Sequence, residues 1–282
     1  MAGSRRNYTK RRRPRRRRSA ALGFGRILAL ALFVLLAFRY KDAGRLLRQL
    51  LRGPSAIETN PAGDSFSSGM ADSDPGAVPE YEGSLCVELG GNVPCFTTYD
   101  RDHMEGEHYS ELDALGRCRA AWAKLDNSMM PTTERGEIDM IHPSGWRQEK
   151  YPDLIPYDPP FLYQRCHLIA YALTGQNANE KNLITGTYSL NMEGMRPYEL
   201  QVVKYLDGCD DHVLYRVTPL YRGAELLPRG VEMEAWSVED EGTGVCFHVF
   251  VHNVQPGIEI DYLTGMSRVR PQADRPSWTG SE

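Results

Sequence analysis

The residues between Tyr163 and Glu199 include the side chains of this chain that are best suited to catalysis. His167 ends a short apolar run, Asn182 and Asn191 follow, and Glu199 closes the set. A neutral histidine can accept a proton from water, amide oxygens can bind a hard cation without neutralising it, and a carboxylate can orient that cation's waters. This combination suits metal-assisted hydrolysis of a phosphodiester. Because any chain of this length has asparagines near a histidine, the pattern needs support from the remaining sequence.

Four predicted elements must position these side chains. Residues 161–170 (FLYQRCHLIA) have the apolar and aromatic content of a strand, and residues 182–187 (NLITGT) predict a second short strand after a polar loop. Residues 195–206 (MRPYELQVVKYL) fit a helix, because Pro197 is tolerated in its first turn and an apolar stripe follows. The order is therefore strand, loop, strand and helix.

The remaining pattern predicts a mixed α+β fold in a single domain with an antiparallel sheet, from about residue 80 to residue 270. Residues 84–98 predict two short strands about a Gly-Asn turn, and helical spacing of apolar residues predicts a helix over 110–124. Alternating or β-branched segments, typical of antiparallel strands, follow at residues 212–221, 230–239 and 245–262.

The segment 130–161 is dense in Pro and Gly and predicts ordered surface loops. Its Arg135 and His142 could line a groove, but a solvated or structural role is the preferred interpretation for both.

The net charge of −4 conceals two opposite parts. Residues 1–52 hold 16 Lys and Arg and one Asp, a net of +15, whereas the remainder holds 17 Lys and Arg against 36 Asp and Glu, a net of −19. An acidic body argues against nucleic-acid binding through a broadly basic surface, since such binding rests on Lys and Arg releasing counterions. A local basic site and a divalent cation are the alternative.

The amino terminus predicts membrane targeting. Residues 1–19 form a basic cytoplasmic segment, and residues 20–38 form an apolar segment interpreted as an uncleaved transmembrane signal anchor with the body outside the cell. A cleaved signal peptide, giving a secreted protein, is the alternative. Residues 39–79 predict a basic juxtamembrane segment and an acidic flexible linker, and residues 271–282 predict a polar tail.

The folded body contains all the cysteines, and six cysteines allow 15 pairings. The nearest local bridge would join Cys86 and Cys95 across a turn, and the absence of C-x-x-C argues against a structural zinc site. Cys166 is interpreted as buried or bridged, because a strand would point it away from the adjacent His167. The six lie at Cys86, Cys95, Cys118, Cys166, Cys209 and Cys246.

The run QRCHL, followed by NLITGT, SLN and GMRPYE, resembles the DNA/RNA non-specific endonuclease family and in particular its secreted-DNase and DNA-entry-nuclease branch. Further similar runs extend the resemblance over about residues 80–268, including LGRCRAAW, GVEMEAWSVEDEG and VQPGIEIDYLTG. The resemblance implies a ββα-metal finger set in a larger sheet.

It also implies roles for individual residues. His167 matches the general base, Asn191 the direct ligand of one Mg²⁺, and Glu199 the glutamate that holds metal-bound water. Asn182 matches an asparagine that positions the site, and Arg165 matches the arginine of the D-R-G-H signature, a support for the phosphate or the site.

Two signature positions differ, because Gln164 replaces the aspartate and Cys166 replaces the glycine. A family basic residue is Val203 here, with Lys204 beside it, and Arg216 is the candidate substitute for contacting the phosphate in the transition state.

The predicted function is therefore a Mg²⁺-dependent endonuclease, with Mn²⁺ able to substitute, that cleaves DNA and in principle RNA with little sequence preference. The alternative is a catalytically silent, membrane-anchored module that binds nucleic acid or protein. A cysteine-dependent hydrolase that uses Cys166 is a third hypothesis.

Overall fold

The computed structural model describes residues 78–271. The predicted basic segment and membrane anchor lie outside the described residues, as do nearly all of the predicted linker and residues 272–282 of the tail. Within residues 78–271, no helix has the length and apolar character needed to cross a membrane.

The strands are β1 Cys86–Glu88, β2 Glu107–Tyr109, β3 Ala121–Leu125, β4 Tyr163–His167, β5 Leu183–Thr187, β6 Val213–Leu220, β7 Gly230–Ser237, β8 Cys246–His252, β9 Ile258–Ile260 and β10 Ser267–Val269. The α-helices are α1 Thr98–His103, α2 Tyr171–Thr174 and α3 Arg196–Leu206. A π-helical turn spans Ser189–Met195, and 3₁₀ turns span Gly90–Asn92, Asn127–Met129 and Glu180–Asn182.

Six strands form one antiparallel sheet in the order β1-β8-β7-β6-β3-β2. Successive side chains of a strand point to opposite faces, so the alternating sequences of β6, β7 and β8 give the sheet two different surfaces. The inner face contributes Tyr215, Met233 and Phe247 to the main core, where they lie in one cluster with Ile184 and Val202. The outer face carries a smaller cluster that includes Phe96, Met104, Leu214 and Trp236.

A separate hairpin, β4-β5, lies on the inner side of the sheet and leads through the π-helical turn into α3. We call residues 163–206 the finger. Its register pairs Gln164 with Gly186 and His167 with Leu183. The predicted order of strand, loop, strand and helix is confirmed, and so is the mixed α+β class with an antiparallel sheet.

Two predictions upstream of the finger are wrong. Residues 110–124 do not form a helix, because their last part is β3, in which buried Ala121, Ala123 and Leu125 alternate with partly exposed Trp122 and Lys124. Pairing of β3 with β6 outweighs the helical spacing, which rests on a few apolar residues. Residues 84–98 contain one strand, β1, rather than two.

The predicted bridge between Cys86 and Cys95 is also wrong, since all six cysteines are free thiols. Cys86 pairs with Val251 in the sheet and packs against the main core on the inner face. Cys95 lies 3.8 Å from Nδ1 of His248, whose side chain points to the outer face because it is three residues from Val251 on the same strand. The sheet therefore separates the two thiols.

Candidate active site

His167 is the last residue of β4 and is only 6% exposed. Its Nε2 donates to the backbone oxygen of Asn177 at 2.9 Å, and its Nδ1 accepts from Nη2 of Arg135 at 3.3 Å. These bonds assign the proton of the neutral ring to Nε2 and leave Nδ1 as the basic nitrogen. Burial, assisted by the positive charge of Arg135, lowers the pKa of His167 to about 4.

Arg135 is the site residue that sequence reasoning missed. It lies in the long loop segment before β4, where the sequence favours a solvated or structural role, yet its guanidinium contacts His167. Its charge also favours the ionised form of Glu199. Arg135 therefore interacts with both the candidate base and the candidate carboxylate. No spacing rule could have found it, since Arg135 lies 32 positions before His167, and most of the chain between them is irregular.

Asn191 lies in the π-helical turn, partly buried, and its Nδ2 donates to Oε1 of Gln164 at 2.5 Å. A weaker contact joins the same nitrogen to the sulfur of Met192. Its Oδ1 makes no hydrogen bond within the described part of the chain. A neutral amide oxygen is a ligand that Mg²⁺ accepts, so the donor available here fits a hard divalent cation.

Glu199 lies in the first turn of α3 and is partly buried. Burial raises the pKa of its carboxyl to about 8, against the opposing charges of Arg196 and Arg135. Among residues 78–271 no hydrogen bond to this carboxylate is formed. A nearby cation would favour the ionised form, and the resulting carboxylate could hold the cation's waters, so Glu199 is a second candidate oxygen donor.

Asn182 is fully buried, and its side chain forms hydrogen bonds with the backbone. Its Oδ1 accepts from the amide of Ile169 at 2.8 Å, and its Nδ2 donates to the oxygen of the same residue at 3.0 Å. Both bonds fix the chain two residues after His167. Asn182 therefore positions the candidate base rather than contacting a reacting group.

Arg165 supports the loop that borders the finger. Its guanidinium donates to the oxygen of Ile141 and to the side chain and oxygen of Asp139, and it stacks over Trp146 at 4.4 Å from the ring centre. A cleft of about 710 Å³ opens beside this loop, and its wall includes Arg135, Gln164, Arg165 and Asn191. His142 is exposed, and its ring centre lies 6.4 Å from that of Trp146.

The two altered signature positions have different consequences. Gln164 supplies an acceptor that holds the amide of Asn191. Cys166 is fully buried, and space for its sulfur exists because residue 186 is glycine, where an added Cβ would lie 2.3 Å from the Cys166 Sγ. Burial raises the pKa of the Cys166 thiol far above its usual range. The thiolate is therefore strongly disfavoured, which argues against Cys166 as a nucleophile.

Arg216 does not join this group. It follows core-facing Tyr215 on β6, so its side chain points to the outer face of the sheet. There Nε and Nη2 bind Glu234 at 2.7 and 2.6 Å, and the guanidinium lies over the ring of Phe96. Its expected contact with the phosphate is inconsistent with this position.

The sequence profile described as DNA/RNA non-specific endonuclease matches residues 97–239, half of the chain. The chain therefore belongs to the DNA/RNA non-specific endonuclease family. A deoxyribonuclease from Streptococcus dysgalactiae subsp. equisimilis is 36% identical over 110 residues, which are 37% of this chain and 32% of the relative. The alignment thus spans about a third of that relative's length.

Solved structures share the fold. NucA from Streptococcus agalactiae, in a crystal structure with magnesium ion bound, is 28% identical with a TM-score of 0.56, and the match covers 65% of this chain and 87% of NucA. Sda1 nuclease, in a structure with bound zinc ion, is 28% identical with a TM-score of 0.50 over 57% of this chain and 81% of Sda1. These neighbours support a nuclease fold built around the antiparallel sheet and the finger.

Proposed function

We propose that this protein is a divalent-metal-dependent endonuclease that hydrolyses phosphodiester bonds of DNA, and of RNA, with little sequence preference. The observation that carries the proposal is the arrangement around His167, whose Nε2 is anchored to Asn177 and whose Nδ1 faces the guanidinium of Arg135. The candidate base and a guanidinium that could bind phosphate are thus joined by a direct hydrogen bond. Family membership supports the same reaction class.

In this mechanism His167 is the general base. Nδ1 takes a proton from the attacking water, and the carbonyl of Asn177 stabilises the Nε2–H bond as the ring becomes positively charged. The water oxygen forms a bond to phosphorus, the ester P–O bond breaks, and the leaving oxygen takes a proton from solvent. Asn182 holds the backbone that follows the base.

Arg135 is the phosphate contact in place of Arg216. Its guanidinium caps Nδ1 of His167. Movement of this guanidinium onto the phosphate oxygens of an entering substrate would expose Nδ1 to water. The guanidinium would then stabilise the negative charge that grows on the phosphate.

Asn191 would hold the cation directly, and Glu199 would hold it through water. A bound Mg²⁺, or Mn²⁺ in its place, supplies Lewis-acid stabilisation of the phosphate and its developing charge. Since none of these groups reads a base edge, cleavage depends little on sequence.

The test is cleavage of supercoiled plasmid by the full-length protein. Wild type is expected to nick and linearise plasmid in Mg²⁺ or Mn²⁺ and to stop when chelator is added. His167→Ala should lower the rate about 1,000-fold, whereas His103→Ala, at an exposed position of α1, should leave it unchanged. Intact plasmid with wild-type protein in both metals would instead support the silent binding module.

We also propose that the body acts outside the cell, attached through residues 20–38. The division between a basic amino-terminal part and an acidic body supports this orientation. Protease added to intact cells should digest the body; complete protection until the cells are lysed would contradict the orientation.

A further inference from the structure

A second group of metal-ligand side chains lies on the outer face of the sheet, away from the finger. The register places Arg216, Glu234 and His248 directly opposite one another on β6, β7 and β8. Cys95 comes from the chain before α1 and lies against this row, with its amide donating to Oε1 of Glu234 at 2.6 Å. Glu234 and His248 are 2% and 5% exposed, whereas Cys95 is exposed.

The ligand atoms have the separations that one metal ion requires. Sγ of Cys95 is 3.8 Å from Nδ1 of His248, and these atoms and an oxygen of Glu234 all lie within 4.8 Å of one another. Two ligand atoms on one tetrahedral zinc are separated by about 3.5 Å, given bonds of roughly 2.0 to 2.3 Å. We propose that Cys95, Glu234 and His248 form a binding site for a divalent cation of the zinc class.

The surrounding groups fix two of the three ligands. Nε2 of His248 lies 2.5 Å from Oε1 of Glu232, on the side of the ring opposite the Cys95 sulfur. A carboxylate on the distal nitrogen is the usual way in which proteins orient a metal-binding histidine. Oε2 of Glu234 is held by Arg216, which leaves Oε1 facing Cys95. For the metal bond, Nδ1 of His248 must give up its contact with the Val93 oxygen, at 3.1 Å, together with its proton. Oε1 of Glu234 also accepts from the Cys95 amide and would bind the metal through its second lone pair.

The donor chemistry selects the class of cation. A thiolate and an imidazole favour zinc and its neighbours over Mg²⁺, whose preferred ligands are oxygens. The charges also agree. The Cys95 thiolate, Glu232 and Glu234 carry three negative charges against the one positive charge of Arg216, and a divalent cation balances the remaining two. Three protein ligands and an exposed sulfur leave the fourth position to water.

The experiment is cobalt and zinc binding by the full-length protein after removal of metal with chelator. One equivalent of Co²⁺ should produce a thiolate-to-cobalt absorption band, and Zn²⁺ should abolish it by displacement. Cys95→Ser should remove the band and weaken Zn²⁺ binding by at least about 100-fold. Cys246→Ser is the matched control, since that thiol contacts Asn92 nearby but is outside the ligand set, and it should keep the band.

Two further variants separate this site from the finger and from misfolding. If the two sites are independent, Asn191→Ala should keep the cobalt band, and Cys95→Ser should leave plasmid cleavage in Mg²⁺ unchanged. Glu232→Gln should weaken Zn²⁺ binding about tenfold, and an unchanged thermal unfolding transition should show that this variant keeps the fold. A wild-type protein without the band, or a band that survives in Cys95→Ser, would overturn the proposal.

Discussion

Asn191 donates its amide hydrogen to Oε1 of Gln164 at 2.5 Å, and this bond joins the π-helical turn to the first strand of the finger. Gln164 occupies the position at which the family signature has aspartate. The bond holds the Nδ2 atom of Asn191 against Gln164 and leaves its Oδ1 atom free to bind a cation. A glutamine here therefore retains the acceptor that the site needs.

Replacing Gln164 with leucine should weaken metal binding without removing the base. Without the acceptor, the amide of Asn191 can rotate, so the Mg²⁺ concentration for half-maximal plasmid cleavage should rise about tenfold. Gln164→Glu keeps an acceptor and should stay close to wild type. The exposed Gln201→Leu on α3 is the control. Unchanged Mg²⁺ dependence in Gln164→Leu would show that this bond does not position the ligand.

Arg135→Ala should lower kcat/KM about 100-fold, because the positive charge facing the phosphate is lost. The same charge opposes protonation of His167, so the acid limb of the pH–rate profile should move to higher pH. Arg119→Ala, at an exposed position, should change neither quantity. A loss of rate with an unmoved acid limb would separate Arg135 from the base and contradict the contact.

The pH dependence follows from the pKa of His167, lowered to about 4. Activity needs the neutral ring and an ionised Glu199, whose raised pKa of about 8 a bound cation would lower. At saturating Mg²⁺, kcat/KM should therefore rise with pH through about 4 and be level from about pH 5 to 7. An acid limb centred near the ordinary histidine value of about 6.5 would argue that the ring is not buried in the active protein.

The same shift affects stability with a definite sign. Between pH 6.5 and 4 the unfolded chain binds a proton on this histidine and the folded chain does not, so the folded state loses stability as pH falls through this range. The total loss is about 3 kcal/mol. Urea unfolding at several pH values should show this slope reduced in His167→Asn relative to wild type, and an equal slope in both proteins would contradict it.

Gly186→Ala should destabilise the finger by about 1–3 kcal/mol, since the new methyl would lie 2.3 Å from Sγ of Cys166 and 2.8 Å from Leu190. Combination with Cys166→Ala should recover part of that loss, with a coupling of at least about 1 kcal/mol in a double-mutant cycle. Gly208→Ala is the control, because its Cβ would meet only ordinary contacts at 3.5 Å or more. Additive effects of the two changes would refute the proposed contact.

The finger could be predicted from sequence because its information is local. One short segment contains both strands, the turn and the helix, and the side chains that matter are fixed by strand ends and turn positions. Arg135 and Asn177 could not be found in this way. Both reach His167 from loops, and nothing in a loop sequence specifies which backbone oxygen or guanidinium will meet a buried ring.

The same reason explains the errors in the sheet. Leu112, Leu115 and Cys118 recur at helical spacing, but β3 is determined by pairing with β6, about 90 residues later in the chain. The cluster of Cys95, Glu234 and His248 has no spacing signal either, because its ligands come from three separate segments. Strand register brings Glu234 and His248 together, and the segment before α1 brings Cys95 against them.

The π-helical turn of Ser189–Met195 has a consequence for how this family can vary. A π turn holds one more residue than the α-helical turn it replaces. Deleting a residue there would let α-helix run on from β5 and would rotate Glu199 by about 100° around the helix axis. A length change that a surface loop would tolerate would here turn the Glu199 carboxylate away from its present position in the site. Natural variants should therefore conserve the residue count between Asn191 and Glu199 more strictly than the residue types.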